Sequence, residues 1–219
     1  MPYVFAALVI VFAGAYVYTR KSAAIFGRLF YKTAASVMLI LVAVSASRSG
    51  TNNIYHFLIL SGLCFALAAD ILSVFSDQTK AFAVAGMFGY LCMNLLYISA
   101  FWLIAAPGVS DAVFFVLLAG TGLLACKLSG IDLNKLSRRI HVYAFVLCAM
   151  AARALSMLFV SKLNPGFALC VSIGGVLILL SNMLRASKRA GGRFVRLAGI
   201  LGIATYYSGQ TLVALTAML

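Results

Sequence analysis

The chain alternates between long apolar runs and short polar breaks. The runs cover approximately residues 3–18, 30–47, 54–76, 81–105, 110–128, 139–161, 165–187 and 197–218. Most are near the roughly 20 residues a helix needs to cross about 30 Å of hydrocarbon. The first two are the shortest, so their ends are the least defined. The breaks carry turn formers: Ser49-Gly50-Thr51-Asn52-Asn53, Pro107-Gly108, Asn164-Pro165-Gly166 and Gly191-Gly192. No soluble domain, long linker or low-complexity tail interrupts them. The pattern predicts an all-α, polytopic transmembrane helical bundle of about eight spans, forming a single integral membrane domain over 1–219. A cleaved signal peptide is not expected, because Arg20 and Lys21 follow the first apolar run instead of preceding it.

Composition supports a bilayer as the solvent. Hydrophobic residues make up 64% of the chain and charged residues 10%, against about half and about a quarter in soluble domains. Asp70, Asp77, Asp111 and Asp132 are the only carboxylates, there is no Glu, and the formal net charge is +13. Such an excess suits loops lying on anionic lipid headgroups. The basic residues occupy short loops, which argues against a nucleic-acid partner. Their distribution also sets an expected orientation. Connectors 1–2, 3–4, 5–6 and 7–8 hold Arg20, Lys21, Arg28, Lys32, Lys80, Lys127, Lys135, Arg138, Arg139, Arg185, Lys188, Arg189, Arg193 and Arg196, whereas the other side has only Arg48 and Lys162. By the positive-inside rule both termini should lie outside the cytoplasm, with a bacterial inner membrane as the expected location. Trp102 and Tyr55 then fall near the outer interface, where belt and packing roles are equally open. Cys64, Cys92, Cys126, Cys148 and Cys170 lie in or beside apolar segments without CxxC spacing and read as packing residues. His56 and His141 suggest no metal site.

An offset of 112 residues places Gly62 on Gly174, Asp70 on Asn182, Leu72 on Leu184, Phe82 on Phe194 and Asn94 on Tyr206. Spans 3–4 would then repeat as spans 7–8, a four-plus-four pseudo-repeat about an axis along the membrane normal. In so apolar an alphabet, coincidence is an equal alternative.

Ionisable groups within spans are costly and mark candidate chemistry. Asp70 lies near the basic end of span 3, Lys32 near the start of span 2, and Arg153 in span 6 toward the opposite side. Polar companions lie at related depths: Asn182 in span 7, Tyr143 in span 6, Asn94 in span 4 with Tyr90 and Tyr97 on the same face, and the i, i+4 pair Tyr206 and Gln210 in span 8. If these faces point inward they form one polar pocket, deepening toward Asn94 and Gln210. Taken singly, the amides read better as interhelical glue. Lys32 can equally snorkel to the interface, and Arg153 reads as structural or functional with equal weight. Asp70, the one carboxylate well inside the bilayer on this reading, favours function; its alternative is an ion pair with Lys32.

The chain resembles the YhhN family of membrane proteins, whose animal members include lysoplasmalogenases. The resemblance runs from about Phe26 to the end. It rests on Tyr31-Lys32, Gly62-Leu63, Ala69-Asp70-Ile71-Leu72, Phe82, Gly86, Met93-Asn94-Leu95-Leu96-Tyr97, Tyr143, Met150, Gly175, Ser181-Asn182 and Tyr206-Tyr207-Ser208-Gly209-Gln210. It implies an eight-helix hydrolase that cleaves the vinyl ether of a lysoplasmalogen to a fatty aldehyde and a glycerophospho-alcohol. Asp70 would be the acid, and Tyr143, Tyr206, Asn94 and Asn182 would orient water and the glycerol part. Lys32 and nearby basic residues would hold the phosphate, and no metal or organic cofactor is required. Tyr97 and Gln210 would complete the substrate pocket. The family commonly has Gly where Ala69 stands, His where Asn94 stands, and often a second aspartate where Asn182 stands. A non-catalytic lipid binder and a small transporter remain alternative readings, and the sequence is silent on oligomeric state.

Overall fold

The structure is a computed structural model that describes residues 1–19, 25–47, 52–76, 78–128, 137–189 and 195–218. The basic residues Arg20, Lys21, Arg48, Lys135 and Arg193, the carboxylates Asp77 and Asp132, and Phe194 of the proposed repeat lie outside them. So do the side chains of Lys188, Arg189 and Arg196.

Eight α-helices are described: α1 Pro2–Thr19, α2 Ile25–Ala46, α3 Asn53–Val74, α4 Lys80–Ile104, α5 Val109–Leu128, α6 Arg138–Ser156, α7 Pro165–Arg189 and α8 Val195–Leu215. Short 3-10 turns, Met157–Phe159 and Thr216–Met218, extend α6 and α8. The architecture is the all-helical bundle that the hydropathy predicts. Helix α2 begins at Ile25, earlier than its apolar run, because Phe26-Gly27-Arg28 joins the first turn. Helix α6 ends at Ser156, before its apolar run does. Asn52 and Thr79 cap α3 and α4 by accepting from the amides of Tyr55 and Phe82, which satisfies donors that a helix start leaves open.

Seven of these helices, α1 to α7, are long and apolar enough to cross a membrane. Helix α8 stands apart because the run Thr205-Tyr206-Tyr207-Ser208-Gly209-Gln210-Thr211 lowers its hydropathy, and this run belongs inside the bundle: Tyr206, Tyr207 and Gln210 are buried. The chain is an integral membrane protein by these spans.

Packing follows a ring: α1 on α2, α2 on α3, α3 on α4, α4 on α6, α6 on α7, α7 on α8, and α8 back on α1 and α2. Helix α5 sits outside, packed on α6, with none of its span buried. The hairpins α3–α4 and α7–α8 make the most intimate contacts, and glycines set their closeness. A Cβ on Gly89 would lie 3.2 Å from the Phe65 carbonyl of α3, and one on Gly209 would lie 2.8 Å from the Gly174 carbonyl of α7.

These contacts refine the repeat. Gly62 faces Tyr97 as Gly174 faces Val213, and Gly86 faces Ala69 and Leu72 as Gly202 faces Ser181 and Leu184. The correspondence of α3 with α7 keeps the offset of 112, but both contacts relate α4 to α8 by 116, one helical turn more. Aligning Asn94 with Tyr206 is therefore out by a turn: the structural counterparts are Tyr90 with Tyr206 and Asn94 with Gln210.

For Tyr55 the open choice falls to packing. It is buried and hydrogen bonds Thr216. Trp102 is exposed.

Candidate functional site

Asp70 lies one turn from the end of α3, on the side of the α3–α4 connector, and is fully buried. Four helices converge on its carboxylate. From α2, Lys32 places its Nζ 3.0 Å from Oδ1, and one turn further on Ser36 donates to Oδ2 at 2.6 Å. From α4, Tyr90 donates to Oδ1 at 2.6 Å. From α8, Tyr206 donates to Oδ2 at 3.3 Å. Side chains tilt toward the N-terminus of their own helix, so Tyr90 and Tyr206 reach back toward the basic side from positions deeper in α4 and α8. Lys32 also donates to the Ser73 hydroxyl, while Tyr207 approaches Ser36 at 3.5 Å and donates to the Lys32 carbonyl at 3.3 Å. The alternation of anion, cation and hydroxyls satisfies a group that hydrocarbon would otherwise penalise by several kcal/mol.

Beside this cluster lies a cation that the sequence reading assigned to topology. The Arg185 guanidinium sits 4.5 Å from the centroid of the Tyr206 ring and 5.8 Å from that of Tyr90. Its Nη1 is 3.5 Å from the Tyr90 hydroxyl. Two phenol faces hold it, and the tyrosines it touches are the donors to Asp70. The cluster therefore holds two cations, Lys32 and Arg185, to one carboxylate.

The remaining candidates pair elsewhere among the described residues. Asn182 accepts from Tyr143 at 2.7 Å and donates to the Ile178 carbonyl at 2.8 Å, a bond between α6 and α7 that does not include the Asp70 carboxylate. Tyr97 donates to Gln210 at 2.6 Å, and Gln210 turns its amide toward the Met93 sulfur at 3.0 Å, a separate bond between α4 and α8. Asn94 donates to the Tyr90 carbonyl at 2.7 Å, and its Oδ1 is buried with no partner among the described residues. Burial of an unpartnered amide oxygen is costly. The polar candidates thus fall into three bonded groups, of which the Asp70 group carries the charges.

Arg153 resolves as structural. It lies on the opposite side and binds both oxygens of Asp111 at 3.1 Å, the Phe101 carbonyl at 3.1 Å and the Ala105 carbonyl. Asp111 also accepts from Ser156 and from the Gly108 amide. One guanidinium thus covers the open carbonyls ending α4 and ties them to the first turn of α5. Asp111 is a second carboxylate engaged within a helix, where the sequence reading credited Asp70 alone.

With this geometry in place, comparison with known proteins decides the family. The model of the YhhN family matches residues 27–217. The chain belongs to the YhhN family. No curated protein and no solved structure matches it. The match spans α2 to α8 and includes every group around Asp70, so the cluster lies within the part of this YhhN chain that defines its membership.

Ser36, Tyr207 and Arg185 are the site residues to which sequence reasoning gave no place, and Tyr90, placed on the Asn94 face, was given no role. Ser36 stands one turn from Lys32, and Tyr90 one turn from Asn94, so an i±4 search from the charged candidates finds both. Tyr207 adjoins Tyr206. Arg185 has a signal as well: it stands three residues after Asn182, on the same helix face.

Proposed function

We propose that this protein is a membrane-embedded hydrolase that cleaves the vinyl ether of a lysoplasmalogen or related lyso-lipid, releasing a fatty aldehyde and a glycerophospho-alcohol. The supporting observation is the buried Asp70 carboxylate, gripped by Lys32, Ser36, Tyr90 and Tyr206 with the Arg185 guanidinium alongside.

The chemistry needs a proton at carbon, stabilisation of a cation, and a water. The Lys32–Asp70 pair holds the proton. Transfer of that proton within the pair leaves Lys32 as the amine and Asp70 as the carboxylic acid. Asp70 then protonates the alkenyl carbon distal to the ether oxygen. The resulting carboxylate faces the oxocarbenium carbon and steadies it, held in place by its tyrosine and serine donors. Water adds to that carbon and gives its proton to the Lys32 amine, which restores the ammonium. The hemiacetal collapses to aldehyde and alcohol. Asn94 Oδ1 is suited to hold the water, and Arg185 to bind the phosphate bidentately. Arg185 replaces Lys32 in the phosphate role because Asp70 and Ser73 already occupy Lys32. Asn182 and Gln210 act as helix–helix bonds that keep the pocket walls in register.

The test is fatty aldehyde release from lysoplasmenylethanolamine by purified protein in detergent, compared with Asp70→Asn and Tyr90→Phe. Wild type should turn over, Asp70→Asn should not, and Tyr90→Phe, which keeps the ion pair, should lose about ten- to a hundred-fold in kcat. A folded wild type that is stabilised by lyso-lipid yet releases no aldehyde would favour a lipid-binding relative. The complete bonding of Asp70 is the observation that keeps that second reading in play.

A further inference from the structure

The back of α4 carries a site of a different kind. Lys80, Ala81, Val84, Ala85 and Phe88 follow one another at helical spacing along one face. With Arg139 of α6 they line a groove of about 560 Å³. This face points away from Gly86, Gly89 and Tyr90, which pack toward α3 and Asp70, so the groove is separate from the candidate site. Among the described residues, no α5 side chain lines it. Helix α5 is pinned to the end of α4 on the opposite side through Arg153 and Asp111, but packs along α6. That leaves the basic-side half of α4 open to lipid, and Phe88 is 63% exposed.

Among the described residues, both charges at the mouth are positive and fit an anion. Lys80 opens α4 and Arg139 stands in the first turn of α6, and neither first turn contains an acid. Cations are unfavourable at helix N-termini, where the macrodipole is itself positive. Ser137 makes no side-chain cap bond at the start of α6, so amide donors there add to the two cations. An apolar slot below and a doubly positive mouth at headgroup level match one occupant: an anionic phospholipid.

We propose that this groove is a fixed binding site for an anionic diacyl phospholipid, with its phosphate between Lys80 and Arg139 and an acyl chain along Val84, Ala85 and Phe88. The proposal is independent of the hydrolase reading.

Quenching of a tryptophan in the groove tests it. Trp102 is the only native tryptophan, so Trp102→Phe combined with Phe88→Trp puts a single reporter in the groove. The protein is reconstituted in phosphatidylcholine vesicles containing increasing fractions of acyl-brominated phosphatidylglycerol or acyl-brominated phosphatidylcholine. Half-quenching is expected at a mole fraction of the anionic lipid at least about five-fold lower, the scale of one cation near an anionic headgroup. Adding Lys80→Ala and Arg139→Ala should abolish the preference. Equal quenching by both lipids overturns the proposal, as does a preference that survives the double substitution. Absence of quenching by either lipid means protein covers the groove, and this also overturns it.

Discussion

Around Asp70 the donors come from helices remote in sequence, and each has a distinct task in the proposed reaction. Ser36 and Tyr90 fix the two oxygens at 2.6 Å each, while the Arg185 guanidinium meets the tyrosine rings and the Tyr90 hydroxyl. Arg185→Gln should therefore raise KM for a phosphate-bearing lyso-lipid by about ten- to a hundred-fold and change kcat little, the pattern of a lost charge-assisted contact. A comparable fall in kcat at unchanged KM would place Arg185 in the chemistry instead. Asp70 was legible in the sequence because a carboxylate inside an apolar run has few innocent explanations. Arg185 was not, since a cation near the end of a span satisfies the topology rule on its own. Only the packing of the α8 tyrosines onto α7 reveals its second contact set. Asp111 was passed over for the same reason: the first turn of a helix beside Pro107-Gly108 reads as loop, and Arg153 reaches it only across the fold.

At the scale of helices, close approach is what brings these side chains together. Ala69 precedes Asp70, and its methyl group is accommodated because position 89 is Gly, where a Cβ would lie 3.0 Å from it. Gly209 is tighter still, with backbone on the facing side. Gly209→Ala should lower stability by about 1–3 kcal/mol, read as a drop in Tm. Gly14→Ala, at a position with nothing within 4 Å, should leave Tm unchanged or raise it slightly. Equal behaviour of the two variants would contradict the packing of α7 on α8. The outer clamp makes a second element-level prediction. Arg153→Met leaves Asp111 without its cation and takes a donor from the Phe101 and Ala105 carbonyls, and should cost about 1–3 kcal/mol. Adding Asp111→Asn should recover part of that loss. The spans themselves were legible from hydropathy and breakers, whereas the one-turn slip between the α3–α4 and α7–α8 hairpins was not, because helical faces repeat every three to four residues and cannot distinguish registers a turn apart.

For the molecule as a whole, the ring of helices places the Asp70 cluster, the groove behind α4 and the starts of α2, α4, α6 and α8 on one side, and the Arg153–Asp111 clamp on the other. The basic connectors lie on the first side, so we expect it to face the cytoplasm. An alkaline phosphatase fused to the C-terminus should then be active in cells and a fluorescent protein fused there dark, and the reverse result would invert the assignment. This orientation would present the candidate site to the cytoplasmic leaflet, from which a lyso-lipid would enter headgroup last.

The central claim is that a proton held by Lys32 and Asp70 is delivered to the carbon of a vinyl ether. The most direct measurement is hydrolysis of lysoplasmenylethanolamine in D2O, with the aldehyde trapped at early times and analysed by mass spectrometry. The account predicts one deuterium at the carbon next to the aldehyde group, formed by wild type and absent with Asp70→Asn. Aldehyde without that deuterium, or equal deuterated product from the Asp70→Asn variant, would contradict it.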